Sequence, residues 1–322
     1  MNKDVCAVIV TYGDRADYFT KVIKRLNSFV YIRHIVLVNN DVSGASISKL
    51  DKLKINCDKL IVFEEGFNSG SAKGFKDGIS EALRLKTDFI WLLDDDNLPE
   101  IDALDNLLNY WMHFSDSSNK NFALLSYRPD RKLFKKAIQI GNPNLMLGVK
   151  NSFLGFHLFD KIKNRICKEK PISNSNNGFG QVSVAPYGGL FFHRSLVDII
   201  GLPDTNYFLY GDDYDYSYRI TKSGGSIFLI TNSQIVDLEQ SFHLKKENEK
   251  LLSNRLMKTN SKDRIFYSIR NGITFEQNFV TNKLIYVING LFHIILTLFV
   301  LVLNPKHLWK YKYYIKGIKD SI

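Results

Sequence analysis

Cysteine is scarce in this chain: three among 322 residues, Cys6, Cys57 and Cys167, widely spaced and with no CxxC pair. So few scattered thiols, odd in number, suit a reducing compartment and argue against a disulfide framework or a cysteine-based zinc site. There is no GxSxG elbow and no GKS/T phosphate loop. Those absences remove the signatures of Ser/His/Asp hydrolysis and of Walker-type nucleotide binding. Residues 1–4 run directly into a strand-like segment without the apolar core of a signal peptide, so the expectation is a catalytic part that stays in the cytoplasm. Internal repeats are missing as well. A net charge of +10 suggests nucleic acid until it is located. Residues 1–242 hold 29 Lys+Arg against 28 Asp+Glu, whereas residues 243–322 hold 14 against 5. A near-neutral body with a basic end argues against nucleic acid as the partner, because phosphate-backbone binding needs a positive field on the folded domain.

What is present is led by Phe89-Ile-Trp-Leu-Leu-Asp-Asp-Asp-Asn97, an apolar run of strand length that ends in three carboxylates. Burying unpaired carboxylates costs several kcal/mol or more, so they belong at a strand exit. There they form either a plain acidic loop or a seat for an oxygen-preferring cation and a phosphorylated ligand. Around this run, strands and helices alternate. Strands are expected at Val5–Val10, His34–Val38, Leu60–Phe63 and Phe89–Leu93. Helices are expected over Tyr18–Phe29, from the Gly-rich Gly66–Gly78 to about Leu85, and over Ile101–Trp111. Such alternation predicts right-handed βαβ units and a mostly parallel central sheet, with ligands beyond the carboxyl ends of its strands. Thr11-Tyr12, Asn39-Asn40, Asn68 and Asp94–Asp96 all fall at those ends. The segment 115–180 reads as less regular, with a flexible polar loop at Ser173–Gly178.

Two further stretches carry chemistry. Asn68–Gly78 leaves a strand and opens a helix, and its small residues let a ligand approach the backbone and the positive helix end. Its Gly-x-x-x-Gly spacing and its place after the third strand exclude a dinucleotide fingerprint, and a tight structural turn is the competing explanation. Tyr210-Gly-Asp-Asp-Tyr-Asp-Tyr-Ser-Tyr-Arg219 is a second acidic cluster. Asp212 or Asp213 serves there either as a helix cap or as a general base, its pKa raised by neighbouring carboxylates. His243 follows a strand-like Ile227–Ile230. A lone histidine is more often structural than ligating, and it gains weight only with a metal on Asp94 and Asp96.

In order along residues 5–275 stand VIVTYGDR (Val8–Arg15), VLVNN (Val36–Asn40), NSGSAKGFKDG (Asn68–Gly78), WLLDDDNLPEIDAL (Trp91–Leu104), YGGLFFHR (Tyr187–Arg194), YGDDYDYSYR (Tyr210–Arg219) and FYSIRN (Phe266–Asn271). This series resembles the family 2 glycosyltransferases with the GT-A nucleotide-sugar-binding fold, and within them the galactofuranosyltransferase and rhamnosyltransferase branch. The resemblance implies that Tyr12, Arg15, Asn39 and Asn68 contact the nucleotide and its diphosphate, with Thr11, Asn40, Gly70 and Lys73 in the same set. It implies that Asp94 and Asp96 bridge to Mn2+ or Mg2+, completed by His243, while Asp95 points to the sugar or its own strand. Asp213 would be the base with Asp212 as its alternate, and Tyr187, Gly188 and Gly189 would border the sugar and acceptor. One departure is Asn39-Asn40, where the family usually has Asp-Asn; an amide oxygen accepts a hydrogen bond more weakly than a carboxylate. The reaction implied is inverting, from UDP-galactofuranose or dTDP-rhamnose to a lipid-linked saccharide of a bacterial surface polysaccharide such as O-antigen, capsule or cell wall. A catalytically silent assembly partner that binds nucleotide only is the alternative of another class.

The expected domains are a catalytic region over 1–250, with a nucleotide half to about 112 and an acceptor half over 113–250, and a helical, basic and hydrophobic region over 251–322. Within the latter, Leu284–Leu303 is long enough to span a bilayer. Lysines and arginines flank it on both sides, against the positive-inside tendency of a spanning helix. The expectation is therefore a helix or hairpin lying in the interface, at the cytoplasmic face of the inner membrane, with Trp309 and neighbouring tyrosines as anchors. A buried C-terminal helix or a homo-oligomer contact is the competing reading.

Overall fold

The computed structural model describes residues 3–115, 121–160, 178–239, 256 and 259–321. Cys167, His243 and residues 173–177 of the expected polar loop lie outside the described residues. The chain forms two compact units: Met1–Met146 with Ser173–Phe208 and Asp212–Ser241, and Leu147–Ile172 with Leu209–Gly211 and Phe242–Ile322.

Among the described residues the first unit is built on a nine-stranded sheet. Strands β1 (Val5–Gly13), β2 (Ile32–Val42), β3 (Leu60–Glu64) and β4 (Phe89–Asp94) lie in the order β3-β2-β1-β4, every neighbouring pair parallel. Period-two alternation divides each strand between two covered faces. Val5, Ala7 and Ile9 meet helices α1 (Ala16–Ser28) and α4 (Ala103–Phe114) through Phe19, Val22, Leu26, Leu107 and Trp111. Cys6 and Val8 face Phe75, Ile79 and Ala82 of α3 (Ser71–Arg84). Burial of each such side chain contributes about 1.5–3 kcal/mol. The thiols of Cys6 and Cys57 are free and buried, and burial pushes Cys6 up to about 12, so it packs as a small hydrophobe. Helix α2 (Ser46–Asn56) links β2 to β3.

Beyond β4 the sheet is mixed. The order continues through β8 (Leu190–His193), antiparallel to β4, then β6 (Phe122–Tyr127), antiparallel to β8, and β9 (Ser226–Asp237), parallel to β6. Two short strands, β5 (Asn97–Pro99) and β7 (Phe179–Val182), pair antiparallel with β9. Within the stretch expected to be less regular, β6 is a fully buried six-residue strand and is followed by helix α5 (Lys132–Gln139). Helices α6 (Leu196–Ile200) and α7 (Asp212–Lys222) complete the unit.

The second unit is helical among its described residues: α8 (Lys262–Glu276), α9 (Lys283–Val302) and α10 (Lys310–Lys319) close on a core that includes Phe153, Ile265, Ile269, Leu301 and Tyr314. Side-chain caps start two of them, Ser261 accepting from the Arg264 N–H and Asn282 from the Ile285 N–H. Glu276 ties residues 154–155 to this core by accepting from the N–H groups of Leu154 (2.9 Å) and Gly155 (3.1 Å). Helix α9 is the one helix among the described residues long and apolar enough to cross a membrane.

Candidate active site

The strand register gathers the polar exits foreseen in the sequence. Thr11 lies opposite Asn39 across β1 and β2, and Val10 lies opposite Asp94 across β1 and β4, so all three strands end on one rim. Here the three carboxylates divide. Asp95 turns inward and is buried. It accepts from the Thr11 hydroxyl (2.7 Å) and, on both oxygens, from the Arg15 guanidinium (2.8–2.9 Å). Asp94, whose side chain is 41 % exposed, has Arg128 Nη1 at 3.4 Å. Asp96 is 13 % exposed, and burial together with Asp94, Asp95 and Asp237 raises its pKa to about 7. Arg15 also pairs with Glu239 and lies against the rings of Tyr12 (5.6 Å) and Tyr18 (4.9 Å). Tyr12 is 46 % exposed on the rim.

Asn40 and Asn68 organise the Gly-rich loop. The Asn40 amide oxygen accepts from the Ser69 N–H (2.7 Å) and hydroxyl (3.0 Å), its Nδ2 donates to the Gly70 carbonyl (3.2 Å), and Asn68 Oδ1 accepts from the Gly70 N–H (3.1 Å). Asn39 accepts from the Val42 N–H and donates to Glu64, the use open to an amide where a carboxylate would be repelled by Glu64. Lys73 is held by Glu65 (2.6 Å) and Asp77 (2.5 Å). Gly70 has φ +84°, and a Cβ there would stand 2.3 Å from the Phe208 carbonyl oxygen; the glycine exists for that close approach.

The second acidic cluster opens α7 in the same unit. Asp212 is buried and accepts from the Ser71 hydroxyl (2.8 Å); burial and the adjacent Asp213 push its pKa up, with a further contribution from Asp94. Asp213 is half-buried and accepts from the Tyr214 N–H (2.8 Å). Between the clusters runs Tyr187-Gly188-Gly189. The Tyr187 ring stacks on Phe75 (4.1 Å), and its hydroxyl is buried without a hydrogen-bond partner among the described residues. Burial raises its pKa, as does the field of Asp212 and Asp213. One residue on, a Cβ at Gly188 would lie 2.1 Å from Asn97 Oδ1 and 2.7 Å from both Arg128 Nη1 and Asp94 Oδ2. Tyr187-Gly188 thus lies against Asp94 of the first cluster and within the electrostatic reach of Asp212 and Asp213 of the second. Gly189 donates its N–H to the Leu92 carbonyl (2.8 Å) and fixes this segment to β4.

Sequence reasoning missed the support beneath Asp94. Arg128, at the exit of β6, is buried and pairs with Asp237 at the end of β9. Asp237 also accepts from Asn97 Nδ2 (2.9 Å), while Asn97 Oδ1 accepts the Asp94 N–H (3.1 Å). Arg128 carries the same signal as the other exits, a polar residue just after an apolar run. Asp237 carries none, since it ends a strand of mixed polarity.

Six carboxylates (Asp94, Asp95, Asp96, Asp130, Asp237 and Glu239) surround three guanidiniums (Arg15, Arg128 and Arg131) in this network. The surplus negative charge and the hard oxygen donors of Asp94 and Asp96 fit a divalent cation such as Mn2+ or Mg2+. Among the described residues no three metal-ligating side chains gather, and His243 falls outside them.

Residues 6–142 match the family model described as glycosyl transferase family 2. A galactofuranosyltransferase, GlfT1 of Mycolicibacterium smegmatis, is 25 % identical over 223 residues, 68 % of this chain and 66 % of that protein. Among solved structures, GalNAc-T7 with UDP, GalNAc and Mn2+ superposes with a TM-score of 0.54 at 16 % identity, over 84 % of this chain and 49 % of that one. The mannosyltransferase PcManGT of Pyrobaculum calidifontis, in complex with GDP-Man and Mn2+, gives 0.51 at 15 % identity, over 98 % and 86 %. This chain therefore spans just under two thirds of its curated relative and about half of GalNAc-T7.

Proposed function

Because residues 6–142 match the glycosyl transferase family 2 model and the chain has the GT-A fold, we propose that it is a family 2 glycosyltransferase that moves one sugar, galactofuranose, from a nucleotide-sugar donor to a lipid-linked saccharide acceptor. The observation that carries this reading is the Tyr187-Gly188 segment, with Asp94 on one side and Asp212-Asp213 on the other. A donor held at the first cluster and an acceptor deprotonated at the second need that adjacency. Asp213 takes the proton of an acceptor hydroxyl, whose oxygen forms a bond to the anomeric carbon as the bond to the diphosphate breaks. The nucleoside diphosphate leaves from the opposite face and configuration inverts. Asp94 and Asp96 would hold a divalent cation, which offsets charge on the departing diphosphate. Asp212, buried on Ser71, orients the start of α7, and Arg128 with Asp237 keeps Asp94 and Asn97 in place. Exposed Tyr12 offers a face for the nucleotide base, and the unpartnered Tyr187 hydroxyl offers a polar contact to sugar or acceptor.

The likeness to a galactofuranosyltransferase supports UDP-galactofuranose over dTDP-rhamnose as donor, and the GDP-Man and UDP complexes of the structural neighbours support a nucleotide sugar in general. In this reading residues 1–250 carry out transfer, and residues 251–322 bring the chain to the membrane surface where a lipid-linked acceptor resides. A transfer assay with UDP-galactofuranose, Mn2+ and a lipid-linked acceptor tests it. Asp96→Ala and Asp213→Asn should each lower turnover by about 10²–10⁴-fold, with the fold intact. Turnover retained in both variants would overturn the assignment.

A further inference from the structure

The second unit presents two surfaces that the transfer chemistry does not use. Helix α9 has a buried stripe, Asn289, His293, Thr297 and Leu301, every fourth residue. Asn289 donates to the Asn151 carbonyl (2.9 Å) and accepts the Leu158 N–H (3.0 Å), and His293 Nδ1 shares a hydrogen bond with the Tyr314 hydroxyl (2.7 Å). Polar groups that would be costly in lipid are thus spent on the protein side. On the other side Leu284, Val287, Leu291, Ile295, Phe299 and Val302 are each more than half exposed, a continuous apolar stripe the length of the helix. A helix with one side packed on protein and the other bare suits the plane of an interface better than the middle of a bilayer.

Past the end of α9 lies a groove of about 520 Å³ lined by Lys262, Leu308, Trp309, Tyr311, Lys312 and Tyr313. Trp309 and Tyr313 meet edge to face at 6.0 Å, and Lys262 stands 5.8 Å from the Tyr313 ring. Lys262 and Lys312 are exposed, and among the described residues no carboxylate pairs with either. Lys306, Lys316 and Lys319 stand exposed along the same stretch. Two exposed ammonium groups beside amphipathic rings, at the end of an apolar stripe, fit a phosphodiester flanked by acyl chains.

We propose that this groove binds the headgroup of an anionic phospholipid while the bare stripe of α9 lies along the acyl-chain boundary. The inference rests on the membrane-side placement proposed above and names its lipid chemistry. A second copy of the chain is the weaker occupant, since two-fold pairing of the stripes places the same surfaces in apposition and gathers like-charged lysines.

Flotation of the full chain with vesicles of phosphatidylcholine alone, or with added phosphatidylglycerol, tests this. The anionic vesicles should bind more tightly, and added salt should erase the difference. Lys262→Ala/Lys312→Ala should lower binding to the anionic vesicles by about 25-fold, at about fivefold per lysine, and leave phosphatidylcholine binding and the melting temperature unchanged. Leu291→Ser/Ile295→Ser should weaken binding to both. Wild-type affinity of the lysine variant for anionic vesicles overturns the headgroup site while leaving membrane association standing. Binding to neither vesicle, with self-association that Leu291→Ser/Ile295→Ser abolishes, overturns the membrane occupant. A thermal shift with UDP-galactofuranose and Mn2+, without vesicles, reports separately on the transferase reading.

Discussion

Gly188 shows how narrowly a single position can set this site. Its missing side chain is the space in which Asn97, Arg128 and Asp94 converge, and any Cβ there displaces a carboxylate oxygen, an amide and a guanidinium together. Gly188→Ala should lower turnover about 10²-fold, because displacements near 1 Å at a reacting centre cost on that order. The melting temperature should change far less, and a transfer assay beside a thermal melt checks the split; equal losses in both would make Gly188 a packing residue only. The residue scale also explains what reading the sequence could and could not reach. Asp94, Asp95 and Asp96 are visible as a motif, but their different surroundings are not. Asp95 is engaged by Thr11 and Arg15, which lie 84 and 80 residues away in the chain. Only their meeting turns Asp95 inward, and the pKa of Asp96 is raised by burial and by Asp94, Asp95 and the distant Asp237, against the pull of Arg15.

Among the elements, α3 and β1 illustrate a pattern whose physical cause differs from its first appearance. The small residues after Asn68 suggest room for a ligand. Gly74 and Gly78 instead face Val10 and Val8, with a Cβ at Gly78 only 2.5 Å from Val8 Cγ1 and 3.0 Å from Val38 Cγ2. Helix α3 therefore rides directly on the sheet, which brings Ser71 to Asp212 and Phe75 to Tyr187. Gly78→Ala should destabilise by about 1–3 kcal/mol through overpacking against rigid β-branched neighbours. Chemical denaturation measures this, and an unchanged midpoint would mean that the helix can lift without cost. The strands β1–β4 were legible because each is a short apolar run with a polar exit. Strand β6 is just as apolar, Phe122–Tyr127, but it stands among irregular neighbours, and its partners β8 and β9 arrive some 65 to 100 residues later.

Over the whole molecule, charge and burial are distributed unevenly, and pH should act on them unevenly. Glu276 is buried in the second unit, and burial lifts its carboxyl from 4.5 to about 7 despite the Leu154 and Gly155 N–H groups. A pKa raised on folding means that the folded state binds the proton more tightly. The associated stability is full below about 4.5 and is lost as pH rises through about 7. Glu276→Gln should flatten that slope in the melting temperature, and a slope identical to wild type would assign it to other groups. Taken alone, the sequence determined the alternation of strands and helices, the polar exits, both acidic clusters and the basic, apolar end, because these are properties of local pattern and composition. Tertiary structure decided which carboxylate faces inward, how Tyr187-Gly188 links the two clusters, that Arg128 and Asp237 brace Asp94, and which face of α9 is bare. Those are outcomes of packing between residues far apart in the chain, where a side chain's partners, and so its charge and exposure, are fixed only when the elements close on one another.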